Sequence, residues 1–348
     1  MIVALSRRLH ARPLWVRAAL LAAGLVAVFG LPWVLYPPVA ADILCWGLFA
    51  VAFDLLLGHA GLLSFGHAAF WGSSAYATGL IAIHSGLPFY VAVLGGAVAA
   101  AVIALPIGWL AVRRSGIYFA MVTLAFAQLI YFTANQWGSV TGGENGLQNI
   151  PRDLPGVDLT DSFVYYYYAL PVVLLGLLAA WRIVHSPFGR VAAGIRDNPA
   201  RVRALGYSAD RYKVVVFVAS AFLSGLAGGL YAMNHGFASL QEVYWTTSGK
   251  VVVMTVLGGI GTLWGSLVGA AAVVRLEDWL STSGFEQTQL VTGGIFIAVV
   301  LLFRRGVWGT VSHLLRRRDD PAGEDPEPGL VHDHEEETAT EPVSASAP

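Results

Sequence analysis

The chain has 348 residues, 56% of them hydrophobic and 12% charged, where an ordinary soluble domain carries roughly a quarter charged. So few charges cannot cover a water-soluble globule, and the apolar residues gather in runs of about 20, the length that crosses a hydrocarbon core roughly 30 Å thick. The net charge of −1 gives nucleic-acid binding no support, and the single Cys45, inside an apolar run, excludes a disulfide framework or a thiolate metal site.

The chain order predicts an all-α polytopic membrane protein with about 8–10 crossings. Residues 1–13 hold Arg7, Arg8, His10 and Arg12 and read as a cytoplasmic N-terminus ahead of a transmembrane domain over residues 14–310. The first apolar run ends at Pro37-Pro38, which stop a helix. It is longer than a signal-peptide core and leads directly into a second apolar segment, so it reads as an uncleaved first helix. Further spanning segments are expected at residues 39–58, 62–83, 89–112, 117–134, 164–184 and 214–233.

Charge tests the orientation, because cytoplasmic loops are enriched in Arg and Lys close to helix ends. Four crossings from an inside N-terminus return to Arg113 and Arg114. The fifth leads to residues 137–163, where Glu144, Asp153, Asp158 and Asp161 face one Arg152, as an extracytoplasmic loop should. The sixth returns to residues 185–213, where Arg190, Arg196, Arg201, Arg203, Arg211 and Lys213 outnumber Asp197 and Asp210. Beyond Asn234, glycines at 258, 259 and 261 interrupt a short apolar stretch, and residues 290–303 end at Arg304-Arg305, which should be cytoplasmic. One or three crossings fit between. Residues 311–348 are acidic and Pro-rich, with too little apolar content to build a core, and read as a disordered cytoplasmic tail.

Within the 185–213 loop, Asn198 suits an N-cap, Pro199 the first helical position and Gly206 the left-handed residue after a helix end. A two-turn surface helix with Val202 and Leu205 on one side and Arg201 and Arg203 on the other can dock on a cytoplasmic protein; equally, it can be a connector anchored by charge. A second stretch, Gly58 to Tyr76, packs small and polar residues into an apolar region. Ser64 and His67 there can line a solute pathway or lie in a tight helix contact. A third, Thr141-Gly142-Gly143-Glu144-Asn145-Gly146, offers backbone N–H groups to a carboxylate, or is only a turn. Gly225 and Gly229, and Gly261, Gly265 and Gly269, recur every four residues and would give helices smooth packing faces. Asp54, Arg275, Glu277 and Asp278 are charges in or beside the membrane, which are functional candidates by default.

The chain has no phosphate-cradling G-x-x-x-x-G-K-[ST], since Gly249-Lys250 is followed by Val251, and no zinc-protease or serine-elbow motif. No catalytic residue, bound metal or resident cofactor is therefore expected.

Over roughly residues 40 to 310 the sequence resembles the LivM-type permease subunit of branched-chain amino acid ABC importers. The resemblance rests on Gly58, Gly61, Ser64, Gly66, His67, Ala68 and Phe70; on Gly116-Ile117-Tyr118 through Phe126; and on Thr141-Gly142-Gly143 with Asn145-Gly146-Leu147. It continues through Ser186, Phe188-Gly189-Arg190, Ile195-Arg196-Asp197-Asn198-Pro199, Ala204-Leu205-Gly206 and Leu257 to Gly265. The family's N-terminal portion matches poorly, and the tail after Asp319 is an addition.

The resemblance implies a second homologous permease subunit, two cytoplasmic ABC ATPase subunits that use the ATP, and an extracytoplasmic solute-binding protein, in a bacterial inner membrane. It also implies that residues 188–190, 196–199 and 204–206 form the ATPase-coupling surface. The same permease family serves urea and short amides, so the small polar solute stays open at this point. An ion-coupled secondary transporter acting alone, with Asp54 and His67 in the path, is the competing reading from another class.

Overall fold

In the computed structural model, residues 28–154, 157–283 and 293–294 are described. Most of the first expected crossing, most of the last at 290–303, and the acidic tail lie outside them. Residues 28–34 are helical and stop before Pro37. Helix α1 (Pro37–Ala60) restarts there with proline in its first turn, where the missing N–H costs nothing. It ends on Gly61, whose φ of 69° is the left-handed closing residue.

Next come α2 (His67–Ser85), α3 (Phe89–Ala111) and α4 (Ile117–Gln136), then the single turn α5 (Gly138–Thr141) and a 3-10 turn at Gly143–Asn145. A two-residue antiparallel hairpin of β1 (Asp153–Leu154) and β2 (Val157–Asp158) is a small exception to the all-α expectation. The remaining elements are α6 (Ser162–His185), α7 (Pro187–Asp197), α8 (Pro199–Ala204), α9 (Ala209–His235), α10 (Leu240–Val243), α11 (Trp245–Gly258) and α12 (Leu263–Thr282).

The most apolar stretch of α1 is 89% buried inside the chain, against 28% for α4. α1 is therefore the axis of the bundle, wrapped by α6, α9, α11 and α12, while α9 also packs on α2 and α3. The outer helices carry apolar surface outward: Val98, Val102, Leu105 and Trp109 form an exposed stripe along α3. A face of that kind suits hydrocarbon, where helices associate through close packing rather than escape from water. Gly225 and Gly229 meet Ala97 and Thr78 of the neighbouring helices, and Gly269 meets the Met254 carbonyl.

Among the described residues, five helices, α1, α3, α4, α6 and α9, are long and apolar enough to cross a membrane, and α11 with α12, bent by 118°, can make a sixth. The expected eight to ten counted α2 as well. Its 19 residues are long enough, but Ser74 and Thr78 lie fully buried in the bundle, so α2 need not be apolar throughout. Gly261 does not share a helix face with Gly265 and Gly269, as the four-residue spacing suggested. It sits at φ 79° in the break before α12, and its backbone packs against Gly58 of α1.

Candidate functional site

The loop after α6 folds into two helices where the sequence suggested one. Ser186 caps α7 by accepting from the Gly189 amide at 3.2 Å, and Pro187 follows as its first residue. The signal for α7 was the spacing of Phe188, Val191, Ala192 and Ile195, at i, i+3, i+4 and i+7, diluted by Arg190 and Arg196. Gly189 is tucked against α6, where a β-carbon would stand 2.3 Å from the Val184 carbonyl oxygen. α8 has the expected signals: Asn198 Oδ1 accepts from the Arg201 amide at 3.0 Å, and Gly206 follows the helix at φ 87°.

Ile195, Val202 and Ala209 form a small buried core with Val191 and Tyr212. Phe188 stacks on Tyr212 of α9 with centroids 5.1 Å apart. Val202 thus faces inward, while Leu205 is 70% exposed at the tip and flanked by exposed Arg201 and Arg203. The Arg203–Asp210 pair at 3.3 Å is exposed and contributes little.

One side chain ties this unit to the bundle axis. Arg196 Nη1 donates to the carbonyl of Gly58, and its stem lies on Gly61 where a β-carbon would be 2.6 Å away. One turn earlier Asp54 is fully buried, and its Oδ1 accepts from the Gly261 amide at 2.7 Å. Gly58 lets the two backbones touch, since a β-carbon there would stand 2.5 Å from the Gly261 nitrogen. Contacts therefore run from the exposed Leu205 through α7 and Arg196 to the end of α1, and from Asp54 to the turn between α11 and α12. Sequence reasoning found both Asp54 and Arg196 but not that they meet the same turn of α1, because their partners are backbone atoms.

His67 and Ser64 are both fully buried. His67 Nε2 lies 2.8 Å from Ser220 Oγ, whose own hydroxyl donates to the Ala52 carbonyl at 2.5 Å. Ser220 must therefore accept from the imidazole, which places the proton on Nε2. Phe53, Phe70 and Phe217 meet the ring edge to face. Ser64 Oγ accepts from the Gly66 amide at 3.1 Å. His67 thus ties the start of α2 to α1 and α9, while the Ser64 bond closes the turn that enters it.

Thr141, Gly142, Gly143 and Asn145 form a turn whose hydrogen bonds are largely internal. The Gly142 amide donates to the Gly138 carbonyl, the Gly143 amide to Thr141 Oγ1, and the Gly146 amide to the Gly143 carbonyl. The strand-like bridge of Leu147 to Ala238 fixes this turn just past the end of α9. Ser220 and His235 are about 22 Å apart along that helix at 1.5 Å per residue. The His67 site and the Thr141–Asn145 turn, both candidates for contact with a solute, thus stand at separate levels of the bundle.

The family described as the branched-chain amino acid transport system permease component matches residues 38–300. The chain is 28% identical over 285 residues to the high-affinity branched-chain amino acid transport system permease protein LivM of Salmonella typhimurium, covering 75% of this chain and 67% of that one. It is 27% identical over 284 residues to LivM of Escherichia coli, with the same coverage of 75% and 67%. It is also 28% identical over 218 residues to the autoinducer 2 import system permease protein LsrC of Yersinia pseudotuberculosis, covering 58% of this chain and 60% of that one. No solved structure matches. A multi-helix bundle with a folded loop tied to its axis, and a family match running from the start of α1 past the end of α12, lead to one conclusion: the chain belongs to the branched-chain amino acid transport system permease family.

Proposed function

We propose that this chain is the membrane-spanning subunit of an ATP-driven importer of branched-chain amino acids. In this reading it sits in a bacterial inner membrane with both termini cytoplasmic and pairs with a second related permease. An extracytoplasmic solute-binding protein delivers leucine, isoleucine or valine, and two cytoplasmic ATPase subunits bind and hydrolyse the ATP. The carrying observation is the α7–α8 unit: an exposed apolar tip at Leu205 ringed by arginines, on helices whose inner face is tied to α1 by Arg196.

A push on that tip by the ATPases reaches the bundle axis through the Arg196 bond, and the break between α11 and α12 through Asp54. The break is tightly packed, with Gly258 against Gly265 and Gly269 against the Met254 carbonyl, so a displacement there moves both helices. An acidic turn region on one side of α6 and a basic α7–α8 region on the other support the orientation.

The test is uptake of labelled leucine and labelled urea in cells with the gene deleted and restored, with ATP depleted in parallel. ATP-dependent leucine uptake lost on deletion is the expected result. Loss of urea uptake alone keeps the machine and changes its cargo. Restored uptake that survives ATP depletion overturns the reading in favour of an ion-coupled carrier.

A further inference from the structure

Asp54 is the most deeply buried carboxylate among the described residues, with no exposed surface, and it is only half used. Its Oδ1 accepts from the Gly261 amide at 2.7 Å, while Oδ2 has no hydrogen-bond partner among the described residues. Burying an unpaired carboxylate oxygen is costly, and an ionisable group kept at such a place is a functional candidate.

The Arg196 guanidinium shares its contact point. Nη1 donates to the Gly58 carbonyl, and a β-carbon on Gly58 would overlap Asp54 Oδ1, so both side chains meet the same glycine. A β-carbon and the carbonyl oxygen of its own residue are about 3 Å apart, which puts the carboxylate within about 6 Å of the oxygen that holds Nη1. The rest of the guanidinium faces elsewhere: Nε and Nη2 stand 3.3 and 3.2 Å from Oδ1 of Asp197, whose side chain is 70% exposed. A guanidinium carries five N–H donors in a planar fork and can serve a carbonyl and a carboxylate at once. His59, the other basic side chain at this end of α1, has Nδ1 3.3 Å from the Asp54 backbone carbonyl and does not occupy Oδ2.

We propose that Arg196 is a two-position latch, seated on Asp197 in this structure and on Asp54 in a second arrangement of the same complex. Nη1 keeps the Gly58 carbonyl as its pivot, the fork leaves Asp197, and Nη2 takes the free Oδ2 of Asp54. Both backbone bonds survive the exchange, so the Ala60 end of α1 stays rigid while α7 is drawn toward it. The exposed pair is weak, and the shielded pair attracts more strongly once α7 has closed. The cost of drawing the guanidinium out of water offsets that attraction and keeps either seat from being permanent. The exchange also joins two separate contacts into one chain of bonds, from α7 through Arg196 and Asp54 to the Gly261 amide between α11 and α12. The seats are set by geometry; only the force that moves α7 rests on the importer reading.

The test is hydrogen exchange at residues 187–197 in the purified complex of permease and ATPase subunits, free of nucleotide and trapped with ADP and vanadate. Wild-type exchange should slow at least about fivefold on trapping. Asp54→Asn, which keeps the shape and removes the charge, should match wild type without nucleotide and lose the slowing. Asp197→Asn should be slow in both states, because the first seat is gone. Asp210→Asn, in the exposed pair with Arg203, should behave as wild type. The latch is overturned by no slowing in wild type, by slowing that survives Asp54→Asn, or by Asp197→Asn matching wild type without nucleotide. Faster exchange in both states of Asp54→Asn, the mark of a purely structural role, overturns it too. Should Asp54→Asn fail to assemble, Asp197→Asn at its exposed position decides, and that comparison needs no nucleotide. The expected pattern in a complex that shows no ATP-dependent leucine uptake removes the cargo and keeps the latch; uptake with α7 indifferent to both substitutions does the reverse.

Discussion

The two polar regions on α1 are built in opposite ways. Near Ala60, Asp54 and Arg196 each bond to backbone, to the Gly261 amide and the Gly58 carbonyl, and glycines let helices touch around them. Toward the start of that helix, Asp42 pairs with His235, Lys250 with Glu277, and Glu242 with Ser239, largely through side chains. Backbone partners cannot swing away, so the first arrangement suits the transmission of displacement proposed above. Side-chain partners can rotate away, so the second arrangement is the more adaptable. The contrast assigns rigidity to the Ala60 end of α1 and adaptability to the Asp42 region, and it can be broken from either side.

The largest effect is expected from Gly58→Leu. The space there is already filled by Asp54 and the Gly261 backbone, so the side chain forces α1 away from the α11–α12 turn. Uptake should fall below detection, with a lower membrane level of the protein on immunoblot. Near-normal transport would show that the contact between α1 and the broken helix carries no motion.

Arg196→Ala separates coupling from assembly. It removes one charge-assisted hydrogen bond, of about 1.5–3 kcal/mol, from a side chain that is 38% exposed, so the effect belongs at the lower end of that range. Uptake should drop roughly tenfold while ATP hydrolysis by the assembled complex persists, a mismatch read by measuring both on one preparation. If transport and hydrolysis fall together, Arg196 acts in assembly and the mechanical chain is cut at its first link.

The same contrast explains how much was legible in advance. The α8 helix could be read at single-residue level because Asn198, Pro199 and Gly206 are local signals whose physics acts within a few residues. The spanning helices were legible because length and apolarity are also local properties. α2 was harder: a helix shielded by its neighbours can carry Ser74 and Thr78, so composition understates its place in the bundle. The contacts around Trp46 were not legible, since residues 42, 71, 231 and 235 are ordinary one at a time and come together only when α1, α2 and α9 pack. His67 stood out in the sequence, yet its setting among Phe53, Phe70 and Phe217 is that of a buried packing group, a distinction residue type cannot carry.

Leu205→Ser should weaken the grip of the ATPase subunits about fivefold, measured by co-purification across a salt and detergent series. Because Leu205 is 70% exposed and contributes nothing to the small core of Ile195, Val202 and Ala209, the permease itself should keep its stability within about 0.5 kcal/mol. Unchanged co-purification would move the docking surface to the arginines alone, which a parallel Arg201→Ala and Arg203→Ala pair would report.

The smallest effect is expected from Asn198→Ala, which removes the cap on α8 and leaves every apolar contact in place. The Arg201 amide loses its 3.0 Å acceptor, at a cost of about 1 kcal/mol to a six-residue helix. That helix is held mainly by Val202 against Ile195 and Ala209, so it should fray rather than detach. Hydrogen exchange at residues 199–205 should quicken about fivefold, with no change in the peptides of α1 or α9, and uptake should fall less than twofold. Faster exchange spreading into α7 would mean that the two helices open as one unit, so that the path from the exposed tip to Arg196 is a single lever. Confinement to α8 would place the hinge at Asn198 itself, with α7 and its Arg196 bond belonging to the rigid end of the comparison.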